Sequence, residues 1–332
     1  MILFFDQVNI HFNAIPFFCL LLVKLNISKT RNFVKIYNYF NHLFFKTILF
    51  SVQKTELINK FKGKKMSFTQ NKTQQSKSQG LKVLKPEDHF QFACHDGLDC
   101  FTQCCQNINI FLMPYDIIQL KNGLQISSEE FLQQYTITLM GKNGLPAIIL
   151  KMKNNDKKSC PFVTAQGCRV YDSRPWACRI YPLQPETTKI TEKAGKQYYS
   201  IMDVPFCLGF QENKVAKVKE WIDGQNIPIY IEMEELFKKI TMNEFLNDKK
   251  IENKKIQEMY FMACYDIDRF RRFVFETSFL KQFEIEKNEI EKMKCDDTAL
   301  YKFAMKWIEF GLLGQQGLKL RPEVLAAKRK LT

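Results

Sequence analysis

Eight of the chain's eleven cysteines fall between Cys94 and Cys207, and this clustering restricts the fold more than any other feature of the sequence. The first group holds Cys94, Cys100, Cys104 and Cys105; the second holds Cys160, Cys168 and Cys178, and Cys207 closes the run. One or two isolated cysteines behave as small core hydrophobes, but eight in two tight groups do not. Cys104 and Cys105 are adjacent, and alpha carbons about 3.8 Å apart across a trans peptide fall short of the roughly 4.4–6.8 Å that a disulfide prefers. An odd cysteine total and the lack of a secretory signal also argue against a disulfide scaffold. Thiolate ligation is what remains: the eight sulfurs read as one cysteine cluster that binds zinc or iron.

Histidine is scarce, with His11, His42, His89 and His95 only, so any metal must lean on sulfur. The gaps of five residues between Cys94 and Cys100 and three between Cys100 and Cys104 fit no standard zinc spacing, which leaves iron and zinc both open. Four thiolates complete a single zinc or a four-iron cluster. Eight therefore imply two neighbouring sites, or some sulfurs that are not ligands. Adjacent residues of an extended chain point to opposite faces, which would send Cys104 and Cys105 to different centres. Gly97 and Pro161 supply turns beside the ligands. Four thiolates leave about −2 on a divalent ion, and Arg169, Arg174 and Arg179 either donate to that buried negative charge or pair with Asp172 or Asp116. His95 is a candidate replacement ligand. Cys19, Cys264 and Cys295 read as structural or incidental.

The formal charge of +14 invites a nucleic-acid reading, but ten Lys or Arg against two acids in residues 1–65 account for +8 of it. The rest shows no basic stripe interleaved with aromatics and no nucleic-acid-binding signature, so no nucleic-acid partner is expected. Residues 1–65 hold no sustained period and read as a spurious or unstructured hydrophobic extension, with Met66 the expected true start. Their longest apolar stretch, Ile15 to Val23, is far shorter than the roughly 20 residues of a spanning helix, and the chain is expected in the cytoplasm with no transmembrane segment. Residues 66–88 read as a flexible polar leader.

Pro114 and Asp116 open a helix expected over 114–122, stopped by Gly123; Ser127 and Glu130 form a capping box for a second. Leu145–Met152 and Gln197–Val204 read as strands. Beyond Cys207, Val215, Val218, Trp221 and Ile222 share one helical face, and Pro228 opens a run ending near Ile240. Residues 263–281 and 297–310 carry inward aromatic stripes ended by Gly311 and Gly314. The basic tail, 321–332, shows no evident fold. The expected class is α+β: a small metal-organised cysteine-cluster domain over 89–210 with short helices and few strands, followed by a helical region over 211–320. A Walker loop and a dinucleotide cradle are both missing.

The motifs Cys100-x-x-x-Cys104-Cys105, Pro114-Tyr115-Asp116, Cys160-Pro161-Phe162, Cys168-Arg169-Val170-Tyr171-x-x-Arg174-Pro175-x-x-Cys178-Arg179-x-Tyr181-Pro182 and Cys207-x-Gly209 resemble the bacterial YkgJ-type family, named for a CxxCxxCC cluster and described as chelating zinc or iron. The resemblance is strong over 89–210 and extends to the helical remainder through Tyr265–Phe275. It implies a metal-binding protein, with zinc, iron or a 4Fe-4S cluster held by Cys94, Cys100, Cys104, Cys105, Cys160, Cys168, Cys178 and Cys207. The five-residue gap after Cys94 departs from the family's two. Some relatives are linked to N-methylation of flagellin lysines, which makes a lysine N-methylase-like enzyme the alternative; a redox or electron-transfer role is a third reading. No methyl-donor site is visible in the glycine pattern, so the binding module leads.

Overall fold

Three antiparallel strands anchor the middle of the chain. In the computed structural model, which describes residues 83–329 apart from 187–196, 203, 248–249 and 316, β4 (Pro146–Leu150) lies between β2 (Phe111–Leu112) and β3 (Thr136–Met140). Gly144, at φ +77, turns β3 into β4, and the buried Ile148 and Leu150 give β4 its inner face. Short ribbons flank this sheet: β1 (His89–Gln91) pairs with β9 (Val215–Lys217), β5 (Val163–Thr164) with β6 (Gly167–Cys168), and β7 (Leu183–Glu186) with β8 (Tyr198–Ile201), all antiparallel. Helices and strands together make the class α+β, as the sequence implies. The hydrophobic extension and most of the polar leader lie outside the described residues.

Helix α1 (Pro114–Leu124) begins at the proline and runs through Gly123 to a stop at Gln125, whose φ of 55° is left-handed. Gly123 does not end the helix. Its role is close approach, because an added Cβ would run into Ser173 Oγ in the 3-10 turn Tyr171–Ser173. Helix α2 (Ser128–Tyr135) is capped by Ser127, which accepts from the Glu130 N–H at 3.1 Å. Only half of the expected box forms, since the Glu130 carboxylate takes Gln134 Nε2 at 2.9 Å instead.

A five-residue helix, α3 (Trp176–Ile180), carries Cys178. After Cys207 the expected helical face is corrected at its first member: Val215 lies in β9 and is exposed, and α4 (Val218–Gly224) starts three residues later with Val218 and Ile222 buried. Then come α5 (Ile227–Thr241), the short α6 (Glu244–Asn247), α7 (Lys254–Cys264), α8 (Ile267–Glu276), α9 (Lys287–Cys295) and α10 (Asp297–Leu313). The run expected over 263–281 is broken, because Asp266 leaves the helix to cap α8, accepting from Arg269 N–H. Gly314 ends α10 at φ 64, while Gly311 stays inside it.

Both aromatic stripes are core. Phe270, Val274, Phe303, Trp307 and Ile308 are buried, and Trp307 packs tilted against Phe270 with centroids 5.5 Å apart and edge-on against Phe279 at 5.4 Å. A polar network ties these helices to α1 and α2. Lys121 Nζ meets Asp297 at 2.9 Å and Asp268 at 3.3 Å, and Ser128 donates to Asp266 at 2.6 Å. Burial of Lys121 and Asp266 makes this network a specific lock, unlike the chain's exposed ion pairs. The unit so formed runs from 81 to 321. The tail differs from expectation, since Pro322–Arg329 is a helix, α11, with proline in its first turn. Among the described residues no helix is long and apolar enough to cross a membrane.

Candidate metal centre

The first cysteine group meets Cys207 through backbone pairing. The β1–β9 ladder continues as Phe92 N–H donates to Lys214 at 2.9 Å and Ala93 N–H to Gly209 at 3.0 Å, which lays Cys94 beside the 207–209 segment. Gly209 is required there: an added Cβ would sit 2.5 Å from the Ala93 carbonyl oxygen and 2.7 Å from the Phe92 ring. From the other side the Leu208 N–H donates to Cys100 Sγ at 3.2 Å. Burial pushes the Cys94 thiol up to about 11, helped by the Cys104, Cys100 and Cys207 sulfurs facing it. Cys94, Cys100, Cys104 and Cys207 thus form one set.

The second set is assembled around Cys105. Cys160 N–H donates to the Cys105 carbonyl at 2.8 Å, and the β5–β6 hairpin returns Cys168 opposite Val163. Helix α3 then delivers Cys178. Burial pushes that thiol up to about 12, with Cys160, Asp116, Cys168 and Cys104 adding to it in that order. Cys105 is held up by a hydrogen bond shared with Cys104, by burial, and by the Cys104, Cys160 and Cys178 sulfurs; the same shared bond lowers Cys104 to about 7. The extended-chain argument for separating Cys104 from Cys105 does not hold. They lie in the 3-10 turn Gln103–Cys105 and each acts on the other's thiol, so the two sets abut at this pair.

All ten described cysteines are free thiols. Cys264 is buried among core residues, Cys295 is exposed, and Cys19 lies outside the described residues. Among the described residues, no group of three or more His, Cys, Asp or Glu side chains is drawn into metal-holding geometry. The chemistry of the donor set nevertheless fits a soft or borderline divalent cation: eight free thiols on neighbouring stretches of chain are soft donors that such a cation would draw together and deprotonate. His95 does not join them, because its Nδ1 accepts from Gly97 N–H at 3.2 Å and its Nε2 faces Glu212 at 3.3 Å.

The arginines divide their work. Arg169 lies over the Phe162 and Tyr135 rings at 5.4 and 5.9 Å, and Arg174 lies over Tyr171 at 3.7 Å while donating to Gln225 Oε1. Both favour the Cys168 thiolate, although burial outweighs them and raises that thiol. Arg179 is a scaffold residue. It donates to the carbonyls of Arg174 at 2.9 Å, Gln225 at 3.1 Å and Asp172, under the Tyr230 ring. Among the described residues none of the three forms an ion pair with the Asp172 or Asp116 carboxylate.

Asp116 does something the sequence did not disclose. Besides taking Met113 N–H at 2.8 Å at the start of α1, it takes Trp176 N–H at 2.8 Å at the start of α3. One buried carboxylate therefore orients the helix that carries Cys178.

Residues 93–203 match the CxxCxxCC family model. Its description is "Putative zinc- or iron-chelating domain", and the match supports metal binding by this segment. It opens one residue before Cys94 and contains every clustered cysteine except Cys207, which lies just past its end. No curated protein and no solved structure matches the chain. Within the CxxCxxCC segment and its closing cysteine, Gly209→Ala tests the backbone pairing. The clash should cost about 1–3 kcal/mol, read as an earlier urea midpoint, and an unchanged midpoint would show that the Ala93–Gly209 approach is slack.

Proposed function

We propose that this chain is a metal-binding protein with two adjacent four-thiolate centres, Cys94, Cys100, Cys104 and Cys207 in one and Cys105, Cys160, Cys168 and Cys178 in the other. What supports this reading is that the sulfurs acting on Cys94 are those of Cys104, Cys100 and Cys207, whereas Cys160 acts on both Cys105 and Cys178 and Cys168 on Cys178, with Cys104 common to both groups. Each four is the full complement of one zinc or iron ion. Arg169 and Arg174 offset part of the negative charge next to Cys168.

Elemental analysis of the anaerobically purified full chain tests the division. Two ions per chain are expected, falling to one in Cys94→Ser and one in Cys160→Ser. One ion in the unaltered protein, or both lost together in each variant, would replace two centres by a single shared one. A colourless protein selects zinc, and a brown one selects iron and sulfide with a redox role. A cleft of about 440 Å³ between Pro86, Tyr199, Ile222 and Pro228 has the size of a ligand site. None of the clustered cysteines lines it, so it lends no weight to a methylase reading of the metal centre.

A further inference from the structure

We propose that the outer face of the three-stranded sheet, together with the lysine-rich loop that follows β4, docks the protein on a lipid surface rich in anionic headgroups. Side chains along a strand alternate between the two faces of a sheet, and an antiparallel sheet that packs one face on a core normally turns polar residues outward from the other. Here it does not. Ile148 and Leu150 point into the core, which leaves Ala147 and Ile149 of β4 on the outer face. The register sets Phe111 of β2 and Ile137 of β3 on either side of Ile149, and Leu139 opposite Ala147. Every paired position of this face is therefore apolar, with Phe111 55% and Ile137 45% exposed.

Positive charge lies at one end of the same face. Lys151 continues β4, its N–H donating to the Tyr135 carbonyl at 2.8 Å, and it stands two residues, about 7 Å, beyond Ile149 on the same side of the strand. Residues 151–158 hold four lysines, Lys151, Lys153, Lys157 and Lys158, against the single acid Asp156. All four are exposed, and among the described residues none of them forms an ion pair. The loop is fixed beside the chain entering β2, since Asn107 N–H donates to the Lys158 carbonyl at 3.1 Å and Lys153 N–H to that of Ser159 at 2.8 Å. Apolar side chains bordered by unpaired cations match the boundary of an anionic bilayer, where the apolar groups enter between headgroups and each lysine near the surface gains about fivefold in affinity. A second copy of the chain is the weaker occupant: a stable interface takes about 20–30 residues a side, and this face offers only a short apolar row.

Vesicle co-sedimentation of the full chain is the test, with phosphatidylcholine alone and with phosphatidylcholine mixed with phosphatidylserine. Binding to the mixed vesicles is expected, with little to the neutral ones. Phe111→Ser should weaken it about tenfold, and Lys151→Gln combined with Lys157→Gln about twenty-five-fold. Met242→Ser, which removes an apolar side chain 68% exposed at the end of α5, should leave it unchanged. If Phe111→Ser does not fold, the lysine pair and Phe111→Trp decide: the new indole emission should move to the blue on mixed vesicles, and an emission that ignores them overturns the proposal. Equal binding to both vesicle types, binding to neither, or binding that both sets of substitutions leave intact would overturn it as well. A dimer that Phe111→Ser splits, in a protein without affinity for lipid, would assign the face to a second copy instead. None of these readouts depends on the thiols holding metal.

Discussion

Stripping metal from the full chain will unfold the cysteine region and leave the C-terminal helices standing. The cysteines themselves sit on or beside the least regular backbone between Phe92 and Cys207: the two-residue ribbon β5–β6, the 3-10 turns Gln103–Cys105 and Tyr171–Ser173 and the five-residue α3, and eight positions that could be apolar are cysteines. The core beneath is small, built from Leu84, Phe90, Phe92, Ile180, Leu183, Tyr199, Val218, Ile222 and Ile227. A structural zinc site contributes roughly 10–16 kcal/mol, as much as the entire net stability of a typical domain, about 5–15 kcal/mol. The helices from α5 to α10 have an independent source of stability. Tyr260, Phe270, Phe279, Phe283 and Phe303 are fully buried there, and each large apolar side chain so buried is worth about 1.5–3 kcal/mol.

The expected result on adding a strong chelator is loss of near-ultraviolet dichroism from Trp176 and Tyr181, rapid labelling of eight thiols, and retention of most far-ultraviolet helical signal. Lowering the pH should act in the same direction, because protons compete with metal for thiols that sit as high as about 11 at Cys94 and about 12 at Cys178. Thiols that stay protected and a melting curve that ignores the chelator would end the idea that metal organises this region.

Much of the helical half was readable in advance because its signals are local. Ser127 caps its helix, Pro114 and Pro228 sit in first turns, and the Phe270–Val274 and Leu300–Ile308 stripes bury the side chains that their periodicity assigns to the core. Where the reading failed, a polar residue or a glycine had a distant partner. Asp266 reads as an ordinary polar position until Ser128 is seen to donate to it, which ends one helix and starts the next. Gly123 reads as a stop until Ser173 is found against it. The cysteines were legible as a cluster through their density alone, but their division was not. It depends on Ala93 pairing with Gly209 and Cys105 with Cys160, contacts between distant stretches of chain that leave no period or spacing in a single sequence.

Replacing Asp116 by alanine should destabilise the fold by about 3 kcal/mol, and no ligand is touched. Two backbone N–H groups, those of Met113 and Trp176, lose their acceptor. A lost helix cap costs about 0.5–2 kcal/mol, and a buried donor left unpaired costs about 1–3 kcal/mol. For a unit of this size the melting midpoint should drop on the order of 10 °C. Metal binding at the second set should weaken in parallel, since the helix that delivers Cys178 loses its anchor, and this separates Asp116 from a residue that merely fills space. Asparagine keeps one acceptor oxygen and should restore part of both losses. The same variant exposes a pH dependence. Burial, opposed by the hydrogen bonds from Trp176 and Met113, raises the carboxyl to about 7, whereas the unfolded chain releases that proton near pH 4. Between those values the folded chain binds the extra proton, so this group's contribution to stability is complete below about pH 4, declines as pH rises towards 7, and is level above it. The stability difference between Asp116→Asn and the unaltered protein should therefore shift in favour of asparagine across that window. A difference that stays flat with pH would mean that the buried carboxylate keeps its charge, balanced by Arg179, and that its two backbone bonds alone account for its role.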